Sequence, residues 1–462
     1  MNGNPAKTDW RGHVPKIEDL ARRLGLDWSP VVFEAVPDSF MTEIAVYGLP
    51  VRMPHWSFGA RYIYQLLQRH MGYSRLFEVV FPGDPGHAYL AASNGIADNV
   101  LVTAHVLGHA DFSKNNLQFR RYQDQGNTQI IEHAAAHARQ IERDIEAHGF
   151  NAVEQVLDAA LSLEQYVDLD QPLRRERYPE YAPAAAERRD DGFRARFDTL
   201  DDAAAPYSPS KKPRAPLPPH PERDLLWFIA TYAPDMENWE RDIFLAVREE
   251  SFYFYPVFAT QIMNEGWASY WHARLLREAD FIPEEIYLDA VKCHSDVVRP
   301  VATGEQVALS INPYHLGFTL WEDIIERSGV EAARRIMRED DDFSFLRNHL
   351  TREIATDMGL FRYQRRQNGP VKVVAAELEE LHESLLLDKY NFGAPRVAAA
   401  EVRNDGTLVL EHDTQLDGRG LDAERSLKVL EYIKRVWRRP VVLKTVDAGA
   451  KAVEFSSESA AA

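Results

Sequence analysis

Ten of the chain's 26 prolines fall between Pro172 and Pro221. Proline has a fixed φ and no amide hydrogen, so at this density neither a continuous helix nor an interior strand can form. The stretch also holds Arg188-Arg-Asp-Asp191 and Lys211-Lys212-Pro213, and it reads as a long, exposed and partly disordered insertion. Residues 172–221 therefore divide a body into an N-terminal part, 1–171, and a second part, 222–394. Everything from residue 395 to 462 has a different texture and reads as a separate small module.

The body reads as helix. Apolar residues recur with a period near 3.6 over Ile17–Leu26, Trp56–Met71, Ile96–His109, Thr128–His148 and Ala152–Leu163. After the insertion, a helix is expected from Asp235 to Glu250 and should kink or end at Pro256. Another follows from Ala259 to Arg277, then Glu284–Val291, Leu316–Arg327, Val330–Arg338 and Phe343–Met358. Leu76–Phe81 before Pro-Gly-Asp-Pro-Gly is a short strand and turn. In the tail, Val397–Val402, Asn404-Asp405-Gly406 and Thr407–His412 form a hairpin signature. A helix over Leu421–Val436 and a final strand over Pro440–Thr445 complete the module. The fold class is mainly α: a large helical body with a few short strands and a Pro-rich insertion, then a small C-terminal α+β module.

Charge limits the partners. The chain has 53 basic and 71 acidic residues among 462, a net charge of −18. The stretch from Pro172 to Asp224 is close to neutral and so is the tail, so the acidity belongs to the body. A body of that sign is a poor match for phosphate backbones, and no nucleic acid is expected as partner. No apolar run approaches the roughly 20 residues of a membrane span, and Met1–Pro15 has no apolar signal-peptide core. A cytoplasmic protein with protein partners of unknown kind is the expectation. Cys293 is the only cysteine, so any metal must be held by histidine and carboxylate.

Three patterns carry chemistry. In His105-Val-Leu-Gly-His109, histidines at i and i+4 share one helical face, the spacing that chelates a transition metal, with Asp111 nearby as a ligand or an orienting group. Glu132-His133-Ala-Ala-Ala-His137 repeats the spacing on a more polar helix. In Asn264-Glu-Gly-Trp-Ala-Ser-Tyr-Trp-His272, Glu265 and His272 lie about two turns apart on one side of a strongly aromatic helix. A carboxylate there must be paired, metal-bound or protonated. Upstream, Glu249 and Glu250 are further ligand or base candidates, and equally suit a charged helix end. The structural alternative for all of these residues is a set of buried hydrogen-bonded and ion-paired groups. No His-Glu-x-x-His, phosphate-binding Gly-x-x-x-x-Gly-Lys loop, Gly-x-Ser-x-Gly elbow or Gly-x-Gly-x-x-Gly turn occurs, so no nucleotide cofactor is expected.

Taken in order, Met53-Pro-His-Trp-Ser-Phe58, Ala104–Asn116, Pro221–Ile229, Arg248-Glu-Glu250 with Tyr253, Asn264–Ala268 with His272, Asn312-Pro-Tyr314 and Ser344–Asn348 resemble the stage V sporulation protein R (SpoVR) family over nearly the whole chain. The resemblance implies a cytoplasmic bacterial protein linked to spore cortex formation, or to a related envelope or stress process in bacteria that make no spores. It brings no defined catalytic residues. Ala110 and Ser113 depart from the family's usual pattern without touching His105 or His109. More locally, Asn264–Ala268 resembles the Asn-Glu-Gly-Phe-Ala segment of thermolysin-like aminopeptidases, whose Glu is the third zinc ligand. The His-Glu-x-x-His those enzymes carry is missing here, so a standard peptidase of that type is excluded.

Two functions follow as expectations. In the first, a hydrolase-type centre holds zinc, iron or manganese through His105, His109 and Glu265, with His272 or His137 completing the shell and Glu250 as base. In the second, the chain is a non-catalytic regulatory or scaffold protein whose polar motifs satisfy one another.

Overall fold

The computed structural model describes residues 9–62, 77–123, 129–171, 216–298, 312–360, 362–364, 372–374, 378–389, 393–417, 420–447 and 449–458. The expected helix from Trp56 to Met71 lies largely outside these residues, as does the Pro-rich insertion up to residue 215. The chain opens with α1 (Val14–Arg23), β1 (Val31–Val36), α2 (Asp38–Tyr47), β2 (Glu78–Phe81) and β3 (Gly86–Ala91). Next come α3 (Ile96–Asn115), α4 (Leu117–Gln123), α5 (Ile130–His148), α6 (Phe150–Ser162), α7 (Leu225–Tyr232) and α8 (Asn238–Ala259). The body ends with α9 (Gln261–Glu278), α10 (Glu284–Val298), α11 (Pro313–Ser328), α12 (Val330–Glu339), α13 (Asp342–His349), α14 (Arg352–Asp357), the short strands β4 (Arg362–Gln364) and β5 (Lys372–Val374), and α15 (Leu378–Lys389). The tail holds β6 (Val397–Val402), β7 (Leu408–His412), α16 (Thr414–Asp417), α17 (Ala423–Trp437), β8 (Val441–Val446) and β9 (Ala452–Ser456). The chain is thus mainly helical and closes with a small α+β module.

At three of the expected elements the structure differs from the sequence reading. Helix α8 runs through Pro256 to Ala259; the proline sits in its last turn, where only one amide bond is lost before the helix ends. Phe343–Met358 is two helices, because Thr351 turns out of the helix and its hydroxyl caps Ile354 N at 3.3 Å. Strand β8 is followed by β9, which pairs with it antiparallel. No helix among the described residues is long and apolar enough to cross a membrane.

The contacts group the chain into two compact units that alternate along the sequence. One comprises 1–150 and 249–394, the other 151–248 and 395–462.

In the first unit α3 is the axis, buried at every residue from Asn99 to Ser113. A helix covered all round needs partners on opposite sides, and the apolar residues sort accordingly. Val102 and Val106 pack with Ala88 and Leu90 of the sheet β1-β3-β2, in which β1 is parallel and β2 antiparallel to β3. Leu101, Ala104, Leu107 and Phe112 pack into a second cluster with Met263, Trp267, Trp271, Leu320, Trp321 and Phe345. Glycines set how closely these helices approach. A Cβ on Gly108 would lie 2.6 Å from Ala268 Cα, and one on Gly266 would lie 2.2 Å from the carbonyl carbon of Gly317. The α3–α9 and α9–α11 crossings are therefore backbone against backbone. The N-terminus of α9 is capped from outside: the buried Asp342 carboxylate accepts from Ile262 N and Met263 N, each at 2.9 Å, and from Lys389 Nζ at 2.8 Å.

In the second unit the sheet order is β6-β7-β8-β9, with β7 and β8 parallel and joined through α17. The β6–β7 hairpin turns at Gly406, whose φ of 85° is a left-handed conformation that suits glycine. Glu222 exchanges backbone hydrogen bonds with Ala399, covering the outer edge of β6. Trp437 is fully buried and stacks on Phe228 at 6.1 Å. Arg248 holds Asp224 through Nε at 2.9 Å and Gln171 at 3.0 Å.

Candidate metal centre

The close α3–α9 crossing brings His105, His109 and Glu265 to one point. Nε2 of His105 and Nε2 of His109 are 3.0 Å apart. Glu265 Oε2 lies 3.5 Å from the first and 3.4 Å from the second. A tetrahedral ion with bonds of 2.0–2.1 Å needs donor atoms about 3.3 Å apart, so the three atoms already sit at the edges of such a shell. Glu265 Oε2 is buried and has no hydrogen-bond donor among the described residues. At these distances its contacts with the imidazoles are electrostatic.

The outer faces of both rings are engaged, which leaves Nε2 as the binding atom of each. His109 Nδ1 donates to Asn264 Oδ1 at 2.9 Å. His105 Nδ1 meets Nδ1 of His272 at 2.9 Å, and His272 Nε2 meets His294 Nδ1 at 2.5 Å. With His105 donating to His272 and His272 donating to His294, each of these two contacts has one proton and Nε2 of His105 keeps its lone pair. Burial lowers the basicity of His272 well below the usual range, and His105 and His294 add to this. That keeps it the neutral acceptor this arrangement needs. Burial alone would push the Glu265 carboxyl up, but His109 and His105 outweigh it and hold the carboxyl far below its ordinary range. His109 is correspondingly raised: its burial is overcome by Glu265, Asn264 and Glu78. Two imidazoles and one carboxylate suit zinc, and equally iron or manganese.

Beside these donors is a cavity of about 310 Å³, lined among others by Phe77, Glu78, Leu101, Val102, His105, His272, Cys293, Val297 and Tyr314. Glu78 Oε1 is 3.8 Å from His105 Nε2. Burial raises its pKa and nearby Glu265 adds to the rise, against the opposing pull of His105 and His109. Tyr314 stacks on the His105 ring at 6.1 Å, and the charge of Glu265, followed by burial, makes its phenol much less acidic than usual.

His137 and Glu250, expected to complete this shell and to serve as its base, meet each other in a different cluster. His137 Nδ1 is 3.7 Å from Glu250 Oε1, while Arg52 Nε donates to Glu250 Oε2 at 2.6 Å. Glu249 bridges the two histidines of α5, with Oε1 at 2.7 Å from His133 Nδ1 and Oε2 at 3.2 Å from His137 Nε2. The i, i+4 spacing of His133 and His137 is thus spent on one carboxylate. Burial would lower the basicity of His137, but Glu249 and Glu250 push its pKa up to about 9 from 6.5. Hydrogen bonding to His137 in turn lowers the pKa of Glu249. A raised histidine stabilises the fold fully below pH 6.5 and loses that contribution as pH rises through about 9. His137→Gln should therefore lower the denaturant midpoint clearly at pH 6 and much less at pH 10. Equal losses at both would mean that the charged pair contributes nothing.

Asp111 is neither a ligand nor an orienting group for the histidines. Its oxygens accept from Asp27 N and from Trp267 Nε1, both at 2.8 Å, and it is fully buried. Asp111→Ala leaves the indole donor unpaired and should cost about 2–4 kcal/mol of stability. Metal stoichiometry should be unchanged, and its loss would return Asp111 to the donor set. Glu78, Asn264 and His294 were not singled out by spacing. Asn264 was adjacent to a motif residue, and Glu78 lay within an expected strand.

A family model described as "SpoVR like protein" matches residues 9–393, and one described as "SpoVR-like C-terminal domain" matches residues 396–448. "Uncharacterized protein YcgB" of Escherichia coli (strain K12) is 28% identical over 468 aligned positions, covering 94% of this chain and 91% of that protein. No solved structure matches.

Proposed function

Because the chain belongs to the SpoVR family, we propose that it serves the cell-envelope chemistry that family implies, spore cortex formation or a related cytoplasmic envelope or stress process, through a metal centre of hydrolase type. The observation that carries this reading is the convergence of His105 Nε2, His109 Nε2 and Glu265 Oε2 within 3.5 Å of one another beside a cavity. A divalent zinc, iron or manganese ion held there would polarise a substrate carbonyl and lower the pKa of a water molecule. Glu78, next to His105 and with its pKa raised by burial, would accept a proton during hydrolysis and return it to the leaving group. Asn264 and the His272–His294 pair are positioning residues that fix the ring tautomers. Glu250, held by Arg52 and facing His137, belongs to the charge cluster of α5 and α8.

Metal analysis of protein purified without a tag tests the reading. About one equivalent of a transition metal is expected, or uptake to that level on adding zinc, iron or manganese. Binding below roughly a tenth of an equivalent under saturating metal would overturn it. The same histidines and carboxylates would then be a buried polar network that joins α3 to α9 in a regulatory or scaffold protein.

A further inference from the structure

The cavity beside the three donors is lined by one of them, His105. Its titratable members are Glu78, His105, His272, Cys293 and Tyr314, and no lysine or arginine lines it among the described residues. Sites for phosphoryl groups surround the transferred oxygens with arginine, lysine or a second cation. Here a dianion would meet one ion already partnered by Glu265, with a second carboxylate, Glu78, 3.8 Å from His105 Nε2. Phe77, Leu101, Val102 and Val297 add apolar lining. The volume, about 310 Å³, equals about ten water molecules, enough for a short chain and a polar head but not for a long polymer segment.

Resting on the metal reading above, we propose that the substrate is a small uncharged acyl compound. It would be an amide or ester whose carbonyl reaches the point between His105, His109 and Glu265, with its short apolar acyl chain against Leu101, Val102 and Val297. In its hydrolysis the water oxygen bonds to the carbonyl carbon and the C–N or C–O bond breaks. The proton taken up by Glu78 leaves on the amine or alcohol. Acid and amine or alcohol are the products, and no oxidant or reductant is consumed.

The test uses the full chain loaded with cobalt, whose visible spectrum reports ligands entering its shell. The probes are straight-chain alkyl hydroxamates, alkylphosphonates of equal chain length, and inorganic phosphate. Hydroxamates should bind at least about tenfold more tightly than phosphonates of the same length, and each added methylene should tighten binding about fourfold until the cavity is full. Val297→Phe should abolish the gain with chain length while cobalt still binds. Normal cobalt binding with phosphate or phosphonate preferred, or with no effect of chain length, would overturn the acyl proposal and leave the metal centre standing. Failure to bind cobalt would remove the centre and the acyl proposal with it.

Discussion

Replacing Glu265 by alanine should weaken transition-metal binding by at least about 1,000-fold, equivalent to about 4 kcal/mol, and should make thermal stability insensitive to a chelator. The carboxylate supplies one of three donors, and its Oε2 faces both imidazoles at 3.4–3.5 Å with no other donor among the described residues. Among the described residues only His105, His109 and Glu265 have donor atoms all within 4.8 Å of one another; Glu78, 3.8 Å from His105 Nε2, is outside that group. The wild-type chain, with metal at about 100 times its Kd, should gain about 2.7 kcal/mol from binding and lose it to the chelator. Asn264→Ala, which removes only the partner of His109 Nδ1, should cost about 10–100-fold in affinity. This graded pattern separates donors from the groups that hold them. Equal, small effects from both variants would point to a network without an ion.

Gly266→Ala should destabilise the fold by about 3 kcal/mol or more, among the larger effects open to a single methyl group. The added Cβ would sit 2.2 Å from the carbonyl carbon of Gly317 and 2.5 Å from its Cα. Both are backbone atoms, so no rotamer change relieves the contact and α9 must move away from α11. Gly12→Ala is the matched control: a Cβ there has nothing within 4 Å, and a change within about 0.5 kcal/mol is expected. Urea midpoints of the two variants at one pH decide the matter. If Gly266→Ala behaves like Gly12→Ala, the helices do not cross as closely as the structure shows. Metal affinity should fall with stability, because Glu265 precedes this glycine on the same helix.

Much of the helical body was legible because its helices keep one apolar stripe. The hairpin at Asn404-Asp405-Gly406 was legible because a left-handed turn needs glycine. Strand β3, Gly-His-Ala-Tyr-Leu-Ala, was not: glycine and alanine are weak strand formers, and β3 is held by β1 on one side and β2 on the other. The split at Thr351 was missed because the apolar pattern continues across it while the threonine caps a new helix. His105 and His109 could be read from their i, i+4 spacing, and Glu265 with His272 from a spacing of two turns. Spacing also flagged His133 and His137, and there the same geometry serves an ion pair with Glu249. Helical spacing tells which side chains share a face; it does not tell what that face meets.

The helical class, the α+β tail, the family and the two helices that carry the donors follow from local periodicity and short-range motifs. Which pairs of histidines meet which carboxylates is set by tertiary packing. That choice rests on contacts between residues more than 100 positions apart: Gly108 against Ala268 draws α3 onto α9 and delivers His105 and His109 to Glu265, while His133 and His137 go to Glu249. Buried charge is costly unless neutralised, so each carboxylate takes the partner that the helix crossings place beside it, and no single stretch of sequence specifies a crossing.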